Sequence, residues 1–320
     1  MAVVAPTLAT MSSSPEPAHV AIRSVCVLSN EVANRVPTLA TVGSPRANET
    51  RDVRSASGGG GRTRADLLDE LSRESVIVLA NLTLLVQGVA DCLEIAATRD
   101  NEVNTPALSS VLRPAVEIAG QLAWLLDDGI DGHERGRRFL IWRLHDLRHQ
   151  RHVLGDFRAG SAEEQAARKE LDAIEAELLA AAASAKWEAR PSATSGNGDV
   201  QAAALLDRDG QKAEPMPKIN ELVRRVSSTP SMYGLLSVPS HGMRFGMMHG
   251  LTPADPSKPA IGDQKTDALV SGFGLPPNLA IGLAGVAVDT STRLLAGWNR
   301  IDASKMHQRV IEVMRMAGIT

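Results

Sequence analysis

The feature that most constrains this fold is a long apolar segment over residues 66–99. Its middle, residues 76–89, is apolar on nearly every side of a helix, and such a helix needs other elements packed around it. Asn81, Gln87 and Asp91 interrupt the segment, whereas a membrane span needs about 18 residues with few polar groups. We therefore predict the buried central helix of a bundle in water, with no membrane association.

The helical pattern continues through the rest of the chain and predicts an all-α, multi-helix bundle over residues 64–320. A small hairpin is expected near residues 260–275, where Ala268, Leu269 and Val270 lie in a region rich in Pro, Gly and Asp. Besides 66–99, helices are predicted over residues 107–126, 131–154, 161–183, 200–206, 218–226, 232–248, 278–298 and 303–316.

Residues 1–63 have a different pattern. They are rich in Ser, Thr, Ala, Pro and Val, follow neither the helical nor the strand period, and end in glycines at 58–61. Consecutive glycines lose the most backbone entropy on ordering and behave as a flexible linker. We therefore predict a disordered N-terminal extension over residues 1–63. A targeting peptide is the functional alternative, because this stretch has few acidic residues and scattered arginines.

The charge balance and the cysteine content exclude three classes of protein. The 320 residues include 34 basic and 37 acidic side chains, a formal net charge of -3, so no global basic surface is available for nucleic acid. The 2 cysteines are too few for a disulfide scaffold or a multi-cysteine zinc module. We expect a cytoplasmic protein that uses no cofactor and no metal.

The first candidate site is the pair Arg113 and Glu117. They are four residues apart, so both project from one face of a helix that is otherwise apolar. A carboxylate on a core-facing helix must be paired or protonated. The pair is interpreted as a buried or half-buried ion pair that fixes helix register, or as part of a polar centre.

The second candidate site is the stripe formed by Tyr233, Ser237 and His241, again at spacings of four. On a continuous helix these side chains share one face, where Ser and His could hydrogen-bond as an activated nucleophile does. The alternative is a satisfied polar network between packed helices. Pro239 lies within the stripe, so a kink or a new helix start at this proline would break it.

The third candidate is a basic helical face that could contact phosphate groups of RNA. Histidines spaced by four and then three share one side of the helix predicted over 131–154. A zinc site is disfavoured because the glutamate of the His-Glu-x2-His motif is absent and arginines surround the histidines. Arginine and histidine supply backbone contacts without base specificity. The candidate phosphate contacts are Arg143, His145, Arg148, His149, Arg151 and His152.

Four blocks of sequence resemble a group of uncharacterised bacterial all-helical proteins and, more distantly, the HEPN-type superfamily. The resemblance implies a helical bundle that often dimerises, and ribonuclease chemistry without a metal that uses an Arg-x4-6-His motif. Arg244 with His249 and Arg138 with His145 fit that motif. The blocks are LRPAVE at 112–117, WLLD at 124–127, ERGRR at 134–138, and YGLLS at 233–237 followed by His241.

Three functional hypotheses follow. The first is an intracellular HEPN-like homodimer in which the Arg113/Glu117 pair and the Tyr233 stripe meet as a structural or ligand-binding polar centre. The second is a ribonuclease in which Arg244 and His249 act on RNA beside the basic helix, with histidine as the general acid or base. The third is a hydrolase that uses Ser237 and His241, although no oxyanion loop such as Gly-x-Ser-x-Gly is visible.

Overall fold

A computed structural model describes residues 16–56, 64–98, 105–156, 160–191, 202–206, 216–227 and 277–319. These residues form the predicted all-α, multi-helix fold, to which one short pair of strands is added. In chain order the elements are α1 Glu16–Asn34, α2 Pro45–Ala56, α3 Arg64–Thr98, α4 Thr105–Leu125, α5 Gly132–Asp156, α6 Ala162–Ser184, β1 Glu188–Pro191, β2 Ala202–Leu206, α7 Ile219–Val226, α8 Pro277–Asn299 and α9 Ser304–Met316.

The long apolar segment is the central helix, as predicted. Helix α3 packs against α1, α2, α4, α5 and α8, and its Leu79, Leu82 and Leu93 are fully buried. Its 35 residues allow one helix to contact elements from both ends of the chain. The core therefore forms around α3, because this helix has the longest apolar surface to remove from water.

Residues 16–56 differ from the prediction. Helices α1 and α2 belong to the bundle, and Ile22, Val25 and Cys26 of α1 are buried in its core. The Ser29 and Thr292 hydroxyls, on α1 and α8, are hydrogen-bonded at 2.8 Å. The predicted disordered extension over residues 1–63 is therefore wrong for these two helices. Their small residues hide the helical period in the sequence, and burial against α3 stabilises them instead.

Residues 202–206 were expected to be helical and form strand β2 instead. They pair antiparallel with β1, Glu188 opposite Leu206. Five residues are too few to form a stable helix alone, whereas pairing with β1 satisfies their backbone groups at once. The hairpin expected near 260–275 and the helix expected over 232–248 lie outside the described residues.

The remaining predicted helices agree with the structure within a few residues at each end. Ser161 caps α6 as expected, because its side-chain oxygen accepts the Glu164 backbone N–H at 3.1 Å. Helix α4 ends at Leu125, and a short turn leads into α5 at Gly132. That turn between α4 and α5 positions the charged groups of the site described next.

Candidate ligand-binding site

Arg113 and Glu117 form the predicted ion pair on α4. The Arg113 Nε atom lies 2.9 Å from the Glu117 Oε1 atom, and both side chains are partly buried. The spacing of four residues was sufficient to predict this contact. Tyr233, Ser237 and His241 lie outside the described residues, so the shared polar centre, like the Ser237/His241 hydrolase, stays a prediction.

Arg135 closes the C-terminal end of α4. The last carbonyls of a helix have no partner within it, and here the Arg135 guanidinium donates to the carbonyls of Leu125 at 3.0 Å, Asp127 at 2.9 Å and Ile130 at 3.3 Å. The residue is 2% exposed. A charged side chain is stable at this depth because its guanidinium donors have acceptors within hydrogen-bond distance.

The same guanidinium holds α2 and α8 together through Glu49. Arg135 Nε donates to Glu49 Oε2 at 3.0 Å and Arg135 Nη2 donates to Oε1 at 3.2 Å, a two-point contact. The Trp298 indole N–H donates to Glu49 Oε2 at 3.0 Å. The Arg135 guanidinium carbon lies 5.3 Å from the centre of the Trp298 ring, within cation–π range. Three helices are thus fixed around one indole ring.

A second arginine of α5 binds the same turn. Arg138 donates to the Trp124 carbonyl at 2.7 Å and contacts Asp127 Oδ2 at 3.3 Å, while Arg225 of α7 donates to that oxygen at 2.9 Å. Burial opposes ionisation of Asp127, but hydrogen bonds from the Gly129 N–H, Arg225 and Arg138 outweigh it and lower the pKa of this carboxyl. Asp127 is therefore an anion that joins α4, α5 and α7.

A cavity of about 470 Å³ lies beside this charged cluster. Its wall combines apolar surface with a few charged groups, the usual make-up of a small-molecule site, and its volume lies within the usual range of roughly 300–1,000 Å³. The lining residues are Pro45, Glu49, Leu126, Asp128, Arg135, Thr290, Arg293, Leu294, Gly297 and Trp298.

Arg293 is a cationic residue of the cavity wall whose terminal N–H groups are available to hydrogen-bond a ligand. Its Nε atom donates to Asp289 Oδ2 at 2.9 Å, and its two terminal nitrogens have no partner among the described residues. The other Asp289 oxygen lies 2.8 Å from His307 Nδ1. Asp289 thus fixes the Arg293 side chain, while about half of that side chain, 52%, stays exposed. The guanidinium can bind an anionic group without first breaking a contact.

The predicted phosphate-binding face of α5 is exposed at His145, Arg148, His149 and His152. Although His145 is exposed, partial desolvation by its neighbours and the charges of His149 and Arg148 lower the pKa of its imidazole. Arg151 is not available in the same way, because it forms ion pairs with Asp172 at 2.7 Å and Glu175 at 2.6 Å on α6. Helix α6 therefore neutralises part of this face.

Of the two arginine–histidine pairs predicted for a ribonuclease, only the pair of Arg138 and His145 lies in the described residues. Arg138 is buried in the turn between α4 and α5, and its donors contact protein groups, so the pairing of Arg138 with His145 as an RNA site is wrong. Arg143 is partly buried and contacts Asp146 at 3.5 Å. Arg244 and His249 lie outside the described residues. Within the described part of the chain, no group of three or more His, Cys, Asp or Glu side chains could hold a metal ion.

The sequence reasoning missed the cavity because its walls come from distant segments. Glu49 was placed in a disordered extension, and Trp298 was treated only as the end of a helix. One signal was present: Thr290, Arg293 and Gly297 recur at helical spacing on one side of α8. No protein-family model, curated protein or solved structure matches this chain.

Proposed function

We propose that this chain is a helical protein that binds a small organic anion in the cavity between α2, the turn between α4 and α5, and α8. The observation that supports this most directly is the arrangement of two groups in one wall: an indole ring held in place by Glu49 and, on the same helix, an arginine with donors available. This cavity is a different site from the polar centre of Arg113, Glu117, Tyr233, Ser237 and His241 expected from the sequence, which stays a prediction.

The part of the cavity wall around Trp298 is held in one conformation in the free protein. Its N–H is held by Glu49, and Glu49 is held by the two-point contact with Arg135. Groups fixed in the free protein lose little entropy when a ligand binds. Trp298 is 4% exposed, so its ring gives the wall a small apolar surface beside Leu294, and this surface favours a ligand with an apolar part.

The Arg293 side selects charge. A guanidinium binds a carboxylate or phosphate through two parallel hydrogen bonds, and both terminal nitrogens of Arg293 are available among the described contacts. The exposed Asp128 also lines the cavity, so a ligand with several negative charges is repelled there. The combination favours one anionic group joined to an apolar body, and a hydrogen-bond donor that faces Asp128 would strengthen binding.

The experiment is thermal unfolding of the full chain with aromatic monoanions, for which benzoate, indole-3-acetate and phenyl phosphate are suitable probes. A ligand that binds only the folded protein raises its Tm, and the rise grows as the ligand concentration increases above the Kd. We expect at least one probe to raise the Tm of the wild type. Arg293→Met should abolish the shift, and Arg293→Lys should retain part of it.

The matched control is Arg315→Met, which removes an exposed arginine of α9 outside the cavity. It should leave the ligand-induced shift intact. The proposal fails if none of the probes raises the Tm, or if the shift is the same in Arg293→Met. Degradation of RNA that is lost in both Arg244→Ala and His249→Ala would favour the ribonuclease, and phosphonate labelling of Ser237 would favour the hydrolase.

A further inference from the structure

The central helix has an apolar stripe on the molecular surface. Ile77, Leu84 and Ile95 of α3 are 55%, 62% and 53% exposed. Their spacings of seven and eleven residues bring them within about 20° of one another around the helix. Val20 and Val27 of α1 are also exposed, at 55% and 54%. Because α1 packs beside α3, these five side chains form one surface, named here the α3 stripe.

The exposure of the α3 stripe is unusual, because a helix as apolar as α3 is normally buried in the core. The most apolar 18-residue windows of α3 and α8 both pass a length-and-composition test for a membrane span, as core helices of soluble proteins also do. The window in α8 is 72% buried, but the window in α3 is only 39% buried. Much of the apolar surface of α3 is therefore outside the core, as expected of a surface that contacts a partner.

Charges beside the stripe are unevenly paired. Arg23 of α1 binds both Asp91 at 2.7 Å and Glu94 at 2.5 Å, so this cluster carries one uncompensated negative charge. Arg73 lies 18 residues before Asp91, a spacing of five full helical turns, and therefore on the same side of α3. Arg73 is exposed and has no ion-pair partner in the part of the chain that the structure describes.

We infer that the α3 stripe is the contact surface for a second copy of this chain. Two α3 helices that pack antiparallel around a two-fold axis near Leu82 place Arg73 of each copy opposite Asp91 of the other, since each lies nine residues from residue 82. The two-fold keeps both residues on the same side of the interface. Each Arg73 then supplies the positive charge that the Arg23 cluster lacks, while Ile77 and Leu84 pack in the centre.

The same charges argue against a bilayer as the occupant. A lipid surface would have to cover the Asp91 and Glu94 carboxylates and Arg73 along with the aliphatic side chains, and lipid offers no groups to pair with them. A second copy of the chain offers the complementary charge at the required distance from the axis. Interfaces between copies usually combine an apolar centre with a polar rim of this kind.

The first test is sedimentation of the full chain at micromolar concentration. We expect a dimer for the wild type, and Leu84→Asp should raise its Kd at least about tenfold. The matched control is Val153→Asp, which places the same charge at a 51% exposed valine on α5 and should leave the Kd unchanged. Circular dichroism should show both variants folded, since both positions are exposed.

The second test reverses the charges. Arg73→Glu alone and Asp91→Arg alone should each weaken the dimer, because each places like charges opposite one another. The double variant should recover most of the lost affinity, because the opposite charges face one another again. A surface that binds some other partner would not produce this recovery.

The third test locates the axis by cross-linking in a Cys92→Ser background. Asn81 lies one residue from the proposed axis near residue 82, so the Asn81→Cys variant should form a disulfide-linked dimer on oxidation. Thr98→Cys is equally exposed but lies 16 residues from the axis, so it should not. A monomeric wild type overturns the inference, and so does a monomer that floats with phosphatidylcholine vesicles only while Leu84 is intact.

Discussion

The two halves of helix α5 contain basic residues in similar density but place them differently. Arg135, Arg137 and Arg138 in the first half are 2%, 7% and 5% exposed. In the second half His145, Arg148, His149 and His152 are exposed. The first half packs against the end of α4, where helix carbonyls and carboxylates accept its hydrogen bonds, whereas the second half faces α6 and solvent.

The difference shows that the acceptors around a cation decide its role. An arginine can be buried where carbonyls at a helix end have no other donor, because each satisfies the other. Further along α5, Arg151 contacts Glu175 of α6 and Arg143 contacts Asp146 of α5 itself, while the exposed basic side chains keep much of their charge in solvent. One half of α5 therefore stabilises the fold, and the other half is available for weak electrostatic contacts.

The largest expected effect is at Arg135. Arg135→Met should lower the free energy of unfolding by about 3 kcal/mol or more, because it leaves the partly buried Glu49 carboxylate without its cation and the carbonyls at the end of α4 without their donor. Urea denaturation measures the change. Arg148→Met, in the exposed half, should cost less than about 0.5 kcal/mol, and equal losses for the two variants would remove the distinction between the halves.

An intermediate effect is expected at Arg151, which contacts Asp172 and Glu175 on α6. Arg151→Met should cost about 0.5–1 kcal/mol, in the range of partly exposed ion pairs, and the loss should shrink in high salt. A double-mutant cycle with Glu175→Gln isolates the pairwise energy. A coupling energy near zero would mean that α6 does not hold the basic face of α5.

The smallest effect concerns pH. Partial desolvation, together with the charges of His149 and Arg148, lowers the pKa of His145 below its ordinary value of 6.5, so the unfolded chain takes up a proton more readily than the folded one. Stability should therefore be fully present above about pH 6.5 and fall only slightly as the pH drops below it, because solvent screens the charge of this exposed side chain.

His145→Gln should remove this part of the pH dependence, and His152→Gln should leave it in place. Unfolding free energies measured between neutral pH and pH 5.5 distinguish the two variants, with the range kept above the acidic region where Asp127 loses its charge. An identical pH dependence in the wild type and in His145→Gln would place the imidazole in open solvent.

Most of the helical fold could be predicted from the sequence. The period of apolar residues in α3, α4 and α8 is set by local geometry, so their bounds followed within a few residues. Helices α1 and α2 could not be predicted in the same way, because their serines, valines and asparagines carry a weak helical preference. Contacts with α3 and α8, far away in sequence, stabilise them.

Some contacts in the candidate site were predictable from local spacing, and others were not. The Arg113–Glu117 pair followed from a spacing of four residues on one helix. The cluster of Glu49, Arg135 and Trp298 joins residues that are 86 and 249 positions from Glu49, and no local pattern relates such positions. The cavity beside them was therefore invisible to reasoning about periodicity and motifs.

The sequence by itself determined that this chain is helical and that α3 is its centre, since helical period and hydrophobicity are local properties. Only the tertiary structure decided which charges are buried and which are free. Burial of an arginine depends on acceptors that arrive from other helices, as Glu49 and the end of α4 reach Arg135. The same packing left Arg293 facing the cavity and Arg73 at the surface beside the α3 stripe.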